Sequence, residues 1–249
     1  MSLADIFLLF ILYSFAGWLW ETLLIIVRDH KFVNRGFLYG PLCPIYGFGA
    51  VFCSLLLFGR IDNIALLFII GAVIGSTIEY TTHWTLEKLF HAKWWDYSDM
   101  KFNLHGRTNL LFALLFGACI VVIIDFLHPF LLSRLALSSP MLLNLLAFIL
   151  YTIFVADITL TMAGLVGLKG RLESLQETLT EQMQKGIDLT EEKRLALMEM
   201  IESSQIYGER LQKLTLSSFT SRFLVNFPEL KSERYKDALE RVKQKMGRK

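Results

Sequence analysis

Lysine and arginine fall almost wholly on alternate sides of five long apolar runs, and that pattern restricts the chain to a polytopic membrane architecture. The runs cover roughly 4–27, 39–58, 64–86, 109–127 and 141–168. Each reaches or nearly reaches the about 20 residues that a helix needs to cross a hydrocarbon core. The connection after the first run carries Arg28, Lys31 and Arg35, and the one after the third carries Lys88, Lys93, Lys101 and Arg107. The residues before the first run hold no basic side chain, the second connection holds only Arg60, and the fourth holds only Arg134. Cytoplasmic loops carry the excess of cations, so the first and third connections belong inside. The expectation is an all-α fold: a five-helix transmembrane domain over 1–168 with its N-terminus outside, then a cytoplasmic helical-hairpin tail over 169–249. The bilayer is the first partner, and the expected location is the cell's cytoplasmic membrane.

The formal net charge is only +2, and the tail from Lys169 onward sets sixteen basic residues against thirteen acidic ones. That balance gives no footing for nucleic-acid binding. Asp5 stands where a secretory signal would have a basic region, so the first run reads as a retained helix. Cys43, Cys53 and Cys119 lie in or beside spans and form neither a disulfide framework nor a CxxC metal motif.

Charged side chains inside the apolar runs need a reason. A carboxylate near the middle of a span costs about 2.5–3.5 kcal/mol on insertion scales, so it faces protein or water rather than lipid. Glu21, Glu79 and Asp157 all fall in the cytoplasmic half of odd-numbered helices, which lets them meet at one depth. Asp125, one turn before His128-Pro129, reads as interfacial.

The cations that reach this depth are on the two cytoplasmic loops. The first reads Asn34-Arg35-Gly36-Phe37-Leu38-Tyr39-Gly40-Pro41-Leu42-Cys43-Pro44-Ile45-Tyr46-Gly47. Prolines that remove N–H donors and glycines that permit positive φ predict a non-helical entry into the second span. Such backbone is tolerated at membrane depth only where protein or a wet cavity covers it. The second loop carries Trp94-Trp95-Asp96-Tyr97-Ser98 and Asn103-Leu104-His105-Gly106-Arg107. Its tryptophans suit the headgroup region, and Asp96 fits an arginine partner or a turn cap.

Glu21 followed by Asn34-Arg35-Gly36 resembles Glu79 followed by Asn103 and Gly106-Arg107, a pattern expected of a parallel two-helix repeat. Transporter sites lie at such repeat interfaces. Glu21, Arg35, Tyr39, Tyr46, Glu79, Asp96, Asn103, Arg107 and Asp157 are therefore the candidate polar cluster, opening to the cytoplasm and suited to an anionic or zwitterionic substrate. Structural ion pairs between helices account for the same residues without a ligand. Glu79, His83, Glu87 and His91 recur every four residues, as metal ligands on one helix can, but pairing of His83 with Glu87 at the helix end is the better explanation, and no metal or other cofactor is assigned. No GxSxG elbow supplies a nucleophile, and no GxxxxGK[ST] loop supplies an ATPase. Any ATP-driven role therefore needs a separate subunit.

Leu165, Leu168, Leu172, Leu175 and Leu179 alternate by three and four residues, which continues the fifth helix out of the membrane with a coiled-coil-like seam. Gly186 and Asp188 are expected to interrupt it, and Thr190 to cap a second helix bearing Leu195, Met198 and Ile201. The chain then turns at Pro228, and Tyr235, Ala238, Leu239 and Val242 mark a short basic helix. That helix suits the hairpin, anionic lipid or a partner.

Several stretches, in order, resemble a family of bacterial membrane proteins known as ABC-transporter permeases of the CmpB-like or type IV kind. They are Trp20-Glu21, the stretch Asn34 to Pro41, Pro44-Ile45-Tyr46-Gly47, Glu79-Tyr80, Trp94 to Ser98, Gly106-Arg107, and the tail phrase Phe227-Pro228-Glu229-Leu230-Lys231-Ser232 with Arg234-Tyr235 and Ala238-Leu239. The resemblance implies a permease-type membrane subunit served by a separate cytoplasmic ATPase, and it brings no catalytic residue or substrate with it. Five spans are few for a solute path, which calls for a homo-oligomer or a second membrane subunit. Two other classes fit the residues: a membrane enzyme or lipid-binding protein in which Arg35 and Arg107 hold a phosphate-bearing headgroup, and a scaffold or sensor that recruits a partner through its tail.

Overall fold

A computed structural model of the chain describes residues 1–184 and 218–247. Its elements are α1 (Leu3–Asp29), α2 (Pro44–Leu57), α3 (Ile64–Phe90), a two-residue antiparallel ladder of β1 (Asn103–Leu104) with β2 (Thr108–Asn109), α4 (Leu110–Val122), a π-turn (Ile123–Leu127), α5 (His128–Ala136), α6 (Pro140–Gln184), α7 (Ser218–Asn226) and α8 (Lys236–Gly247). The expected mostly helical membrane architecture is present. Among the described residues, four helical stretches are long and apolar enough to cross a bilayer: Leu3–Asp29, Ile64–Phe90, Leu110–Ala136 and Pro140–Glu181.

The second apolar run behaves differently. Its helix has only 14 residues, about 21 Å at 1.5 Å per residue, which is less than a hydrocarbon core. Pro41 and Pro44 explain the late start: the residue before a proline is pushed out of the α region, and Pro44 occupies the first helical turn, where a missing N–H costs nothing. The chain from His30 to Cys43 is consequently non-helical.

The fourth run extends beyond the expected boundary at 127. Pro129 cannot donate to the carbonyl one turn back, and the helix adapts through the π-turn just before it, with the His128 N–H bonding to Ile123 O. Helix then continues to Ala136. His128, beside Pro129, is buried and hydrogen-bonded through Nδ1 to the Tyr13 hydroxyl at 2.9 Å.

The residues group into two compact units. The first unit, 1–85 with 95–161, holds α1, α2, most of α3, both loops, α4, α5 and the first half of α6. Its helices touch through small residues. Gly47 on α2 lies against Ser14 and the Phe10 carbonyl of α1, and a Cβ on Gly17 would collide with Tyr46. The α3–α4 contact is built in the same way, with Gly117 against the Phe68 carbonyl and Gly75 against Phe116. Without a hydrophobic driving force between helices in lipid, such close approach supplies the dispersion contact that holds them together.

The second unit comprises 86–94 and the chain from 162 onward. The leucine stripe predicted from the sequence is buried at all five positions, from Leu165 to Leu179. Phe219 of α7 lies against Gly164, and Phe223 meets the Trp94 ring edge-on. The turn at Pro228 leads to α8, and the stripe of Tyr235, just before it, with Ala238, Leu239 and Val242 on it, is buried. Gln176 of α6 fastens that helix by donating to Asp237 and accepting from the Ala238 N–H. The tail phrase adds two backbone bonds between Lys231 and Lys93, at 2.8 and 3.0 Å. Gly186, Asp188, Thr190, Leu195, Met198 and Ile201, and with them the expected hairpin, lie outside the described residues.

Candidate functional site

The first loop is fastened at three places. Asn34 Oδ1 accepts from Trp18 Nε1 of α1 at 2.7 Å and from the Gly36 N–H at 2.9 Å. The Cys43 N–H reaches the Ser14 carbonyl of α1 at 3.0 Å. Between them, both oxygens of Asp157 accept backbone N–H bonds, from Tyr39 at 2.8 Å and Gly40 at 2.7 Å. A carboxylate receiving two amides in this way replaces the bonds that a helix would have given them. A Cβ on Gly40 would stand 2.9 Å from Asp157 Oδ2, so a side chain there would push the carboxylate aside. The fully buried Leu38 anchors the segment from within.

This clamp delivers two side chains to α1. The Tyr46 hydroxyl donates to Glu21 Oε1 from the first turn of α2. Arg35 Nε faces Glu21 Oε2 at 3.9 Å, with both side chains partly exposed. Glu21 thus has one neutral donor and one cation.

The second loop builds a comparable seat. Tyr97 donates to Glu79 Oε1 at 3.2 Å, while Glu79 Oε2 and Thr108 Oγ1 are buried with no hydrogen-bond partner among the described residues. Glu79 is buried and makes no ion pair among the described residues. Arg107 donates to the Tyr80 hydroxyl at 2.8 Å and lies over its ring. Asp96 and Asn103 hold the loop's own shape: Asp96 Oδ1 accepts from the N–H and hydroxyl of Ser98, and Asn103 bonds Ser98 O, Met100 O and the Gly106 N–H. His83 Nε2 is tied to the Trp95 carbonyl at 2.9 Å, and no group of three metal-ligating side chains gathers among the described residues.

The two hairpins, α1–α2 and α3–α4, correspond in register. Moving Phe10, Gly17 and Glu21 forward by 58 residues gives Phe68, Gly75 and Glu79, and moving Gly36, Tyr46 and Gly47 forward by 70 gives Gly106, Phe116 and Gly117. The contacts correspond as well: Gly17 with Tyr46 matches Gly75 with Phe116, and Gly47 with Phe10 matches Gly117 with Phe68. In each hairpin an asparagine Oδ1 accepts the N–H of the loop glycine at 2.9 Å. Phe116 lacks the hydroxyl of Tyr46, and Tyr97 from the loop supplies the bond to the second glutamate instead.

Of the expected cluster, Glu21, Arg35 and Tyr46 come together directly, and Glu21 lies within charge–charge range of Glu79. Asp157 joins through the backbone of Tyr39 and Gly40, with no bond to either glutamate among the described residues. Sequence reading passed over Tyr97 and Tyr80 as site residues. The signal for Tyr97 was its place in the Trp-Trp-Asp-Tyr-Ser stretch, and for Tyr80 its adjacency to Glu79.

Paired apolar hairpins, a short helix entered by clamped irregular backbone and a buried glutamate define a multi-pass helical membrane protein. The sequence profile of a family described as "Putative ABC-transporter type IV" matches residues 8–162, and the chain belongs to that family. No curated protein and no solved structure matches it.

Proposed function

We propose that the chain is a permease-type membrane subunit of an ABC transporter, with residues 1–168 as its membrane domain and 169–249 as a cytoplasmic tail. In this reading the N-terminus is outside, both motif loops are cytoplasmic, and α2 with its irregular entry completes five spans. The substrate-contacting surface is the cluster of Glu21, Arg35, Tyr39, Tyr46, Glu79 and Arg107, with Asp157, Asp96 and Asn103 holding the two loops in place.

The observation that carries this reading is the clamp of Tyr39 and Gly40 on Asp157, which lies well within the apolar stretch of α6. Irregular backbone beside half-buried charges at that level suits a wet cavity, the arrangement transporters use at repeat interfaces. Arg35 faces Glu21 and Arg107 donates to Tyr80, which favours roles in shaping the pocket over a phosphate seat. A second copy or another membrane chain would complete the solute path.

The test is purification from native membranes in mild detergent, followed by mass spectrometry of the proteins retained after a stringent wash. A P-loop ATPase at a fixed stoichiometry is expected. A chain that purifies intact and active with no ATPase under conditions preserving other ABC assemblies would overturn the permease reading.

A further inference from the structure

A second charged locus lies in the tail-bearing unit, where α3 and α6 leave their apolar stretches. Lys88 occupies the last turn of α3, and Lys169 is the first charged residue of α6 after Asp157. Lys169 Nζ donates to the Leu89 carbonyl at 3.0 Å, so the two helix segments reach this level side by side. Leu89 and Val166, at 57% and 63% exposure, present apolar surface next to the lysines.

The charges here are unbalanced. Lys88, Lys169 and Arg234 all act electrostatically on the His91 ring, and Glu173 opposes them. Glu173 is already committed to Arg234 at 2.8 Å. Neither Lys88 nor Lys169 makes an ion pair among the described residues. Two unneutralised ammonium groups at the edge of an apolar surface match one ligand geometry in particular, a phosphodiester whose acyl chains run along that surface.

We propose that Lys88 and Lys169 seat the headgroup phosphate of an anionic phospholipid from the surrounding leaflet, with Leu89 and Val166 receiving its acyl chains. The seat shares no residue with the Glu21–Glu79 cluster and is independent of the transport reading. Its two cations select net anionic over zwitterionic headgroups, because a zwitterion brings its own ammonium to the site.

The test uses the full chain in bilayer discs containing equal phosphatidylglycerol and phosphatidylcholine, extracted gently, with the co-purifying lipid quantified by mass spectrometry. Phosphatidylglycerol is expected to be enriched on the order of ten-fold, from two nearby cations. Lys88→Gln with Lys169→Gln should remove the enrichment, and Lys88→Arg with Lys169→Arg should keep it, separating charge from folding. Lys88→Gln alone leaves the Lys169–Leu89 bond intact and should lower enrichment by several-fold. No enrichment in the parent chain, or enrichment unchanged in the glutamine variants, would overturn the proposal. Displacement of the lipid by millimolar inorganic phosphate would also overturn it, by assigning the seat to a soluble anion.

Discussion

The Tyr46 hydroxyl donates to Glu21 from the first turn of a helix that begins only at Pro44. The same tyrosine ring covers Gly17, so one side chain both joins α1 to α2 and bonds the partly exposed Glu21 carboxylate. A hydrogen bond to a charged group contributes about 1.5–3 kcal/mol. Tyr46→Phe keeps the ring and removes only the bond, and it should lower stability by about 2 kcal/mol in reversible unfolding in detergent. A loss below about 0.5 kcal/mol would mean that water replaces the phenol freely.

Asp157→Asn should leave the helices assembled and loosen the first loop, because a neutral amide oxygen accepts only part of what two carboxylate oxygens did. Amide exchange at Tyr39 and Gly40 is expected to speed up by about ten-fold or more, corresponding to more than about 1.4 kcal/mol, while α1 exchange stays unchanged. Exchange that accelerates equally across α1 would show instead that Asp157 holds the whole assembly.

The matched hairpins predict matched costs. Gly47→Ala and Gly117→Ala each push a methyl into a backbone carbonyl of the facing helix, at 2.6 and 2.7 Å, and carbonyls cannot move aside as side chains do. Each should destabilise by about 1–3 kcal/mol. Gly170→Ala, with nothing within 4 Å of the new Cβ, should be neutral or stabilising by up to about 1 kcal/mol. Thermal unfolding of the three variants distinguishes the positions.

The tail contact at His91 should depend on pH. Burial, with Arg234, Lys169 and Lys88 adding to it and Glu173 opposing, lowers the His91 imidazole below its ordinary value. The neutral ring can accept from Arg234, whose Nη1 lies 3.1 Å from Nε2. A base whose folded-state value is depressed stabilises the fold fully above the unfolded value of about 6.5, and that contribution is lost as pH falls through the lower folded value. Limited proteolysis of the tail should therefore quicken as pH drops below about 6, and His91→Gln should flatten the response. A tail equally protected across that interval would remove His91 from the contact.

Much of this fold could be read from the sequence because lipid imposes simple rules. Long apolar runs gave α1, α3 and α6, and the three–four spacing of leucines gave the buried stripe from Leu165 to Leu179. The boundaries that were missed have local causes. Hydropathy counts Tyr39 to Leu42 as part of a span, yet Pro41 and Pro44 delay helix α2, and the run ending at 127 continues because a π-turn absorbs Pro129. The site was partly legible, since carboxylates in apolar runs require partners, and Glu21 with Arg35 followed from that. The pairing of Asp157 with backbone amides did not follow, because amides carry no side-chain signature. Neither did the bond from Tyr97 to Glu79, which depends on how the second loop folds back.

The most direct test of the account is sided labelling of the first loop. Tyr39, 40% exposed beside the Asp157 clamp, is replaced by cysteine in a chain whose three native cysteines are changed to alanine or serine, and a charged maleimide is applied to right-side-out and inverted vesicles. A cavity open to the cytoplasm predicts labelling in inverted vesicles only, at a rate increased by Asp157→Asn. Labelling in right-side-out vesicles alone, or none in either orientation while a cysteine in the tail reacts normally, would contradict it.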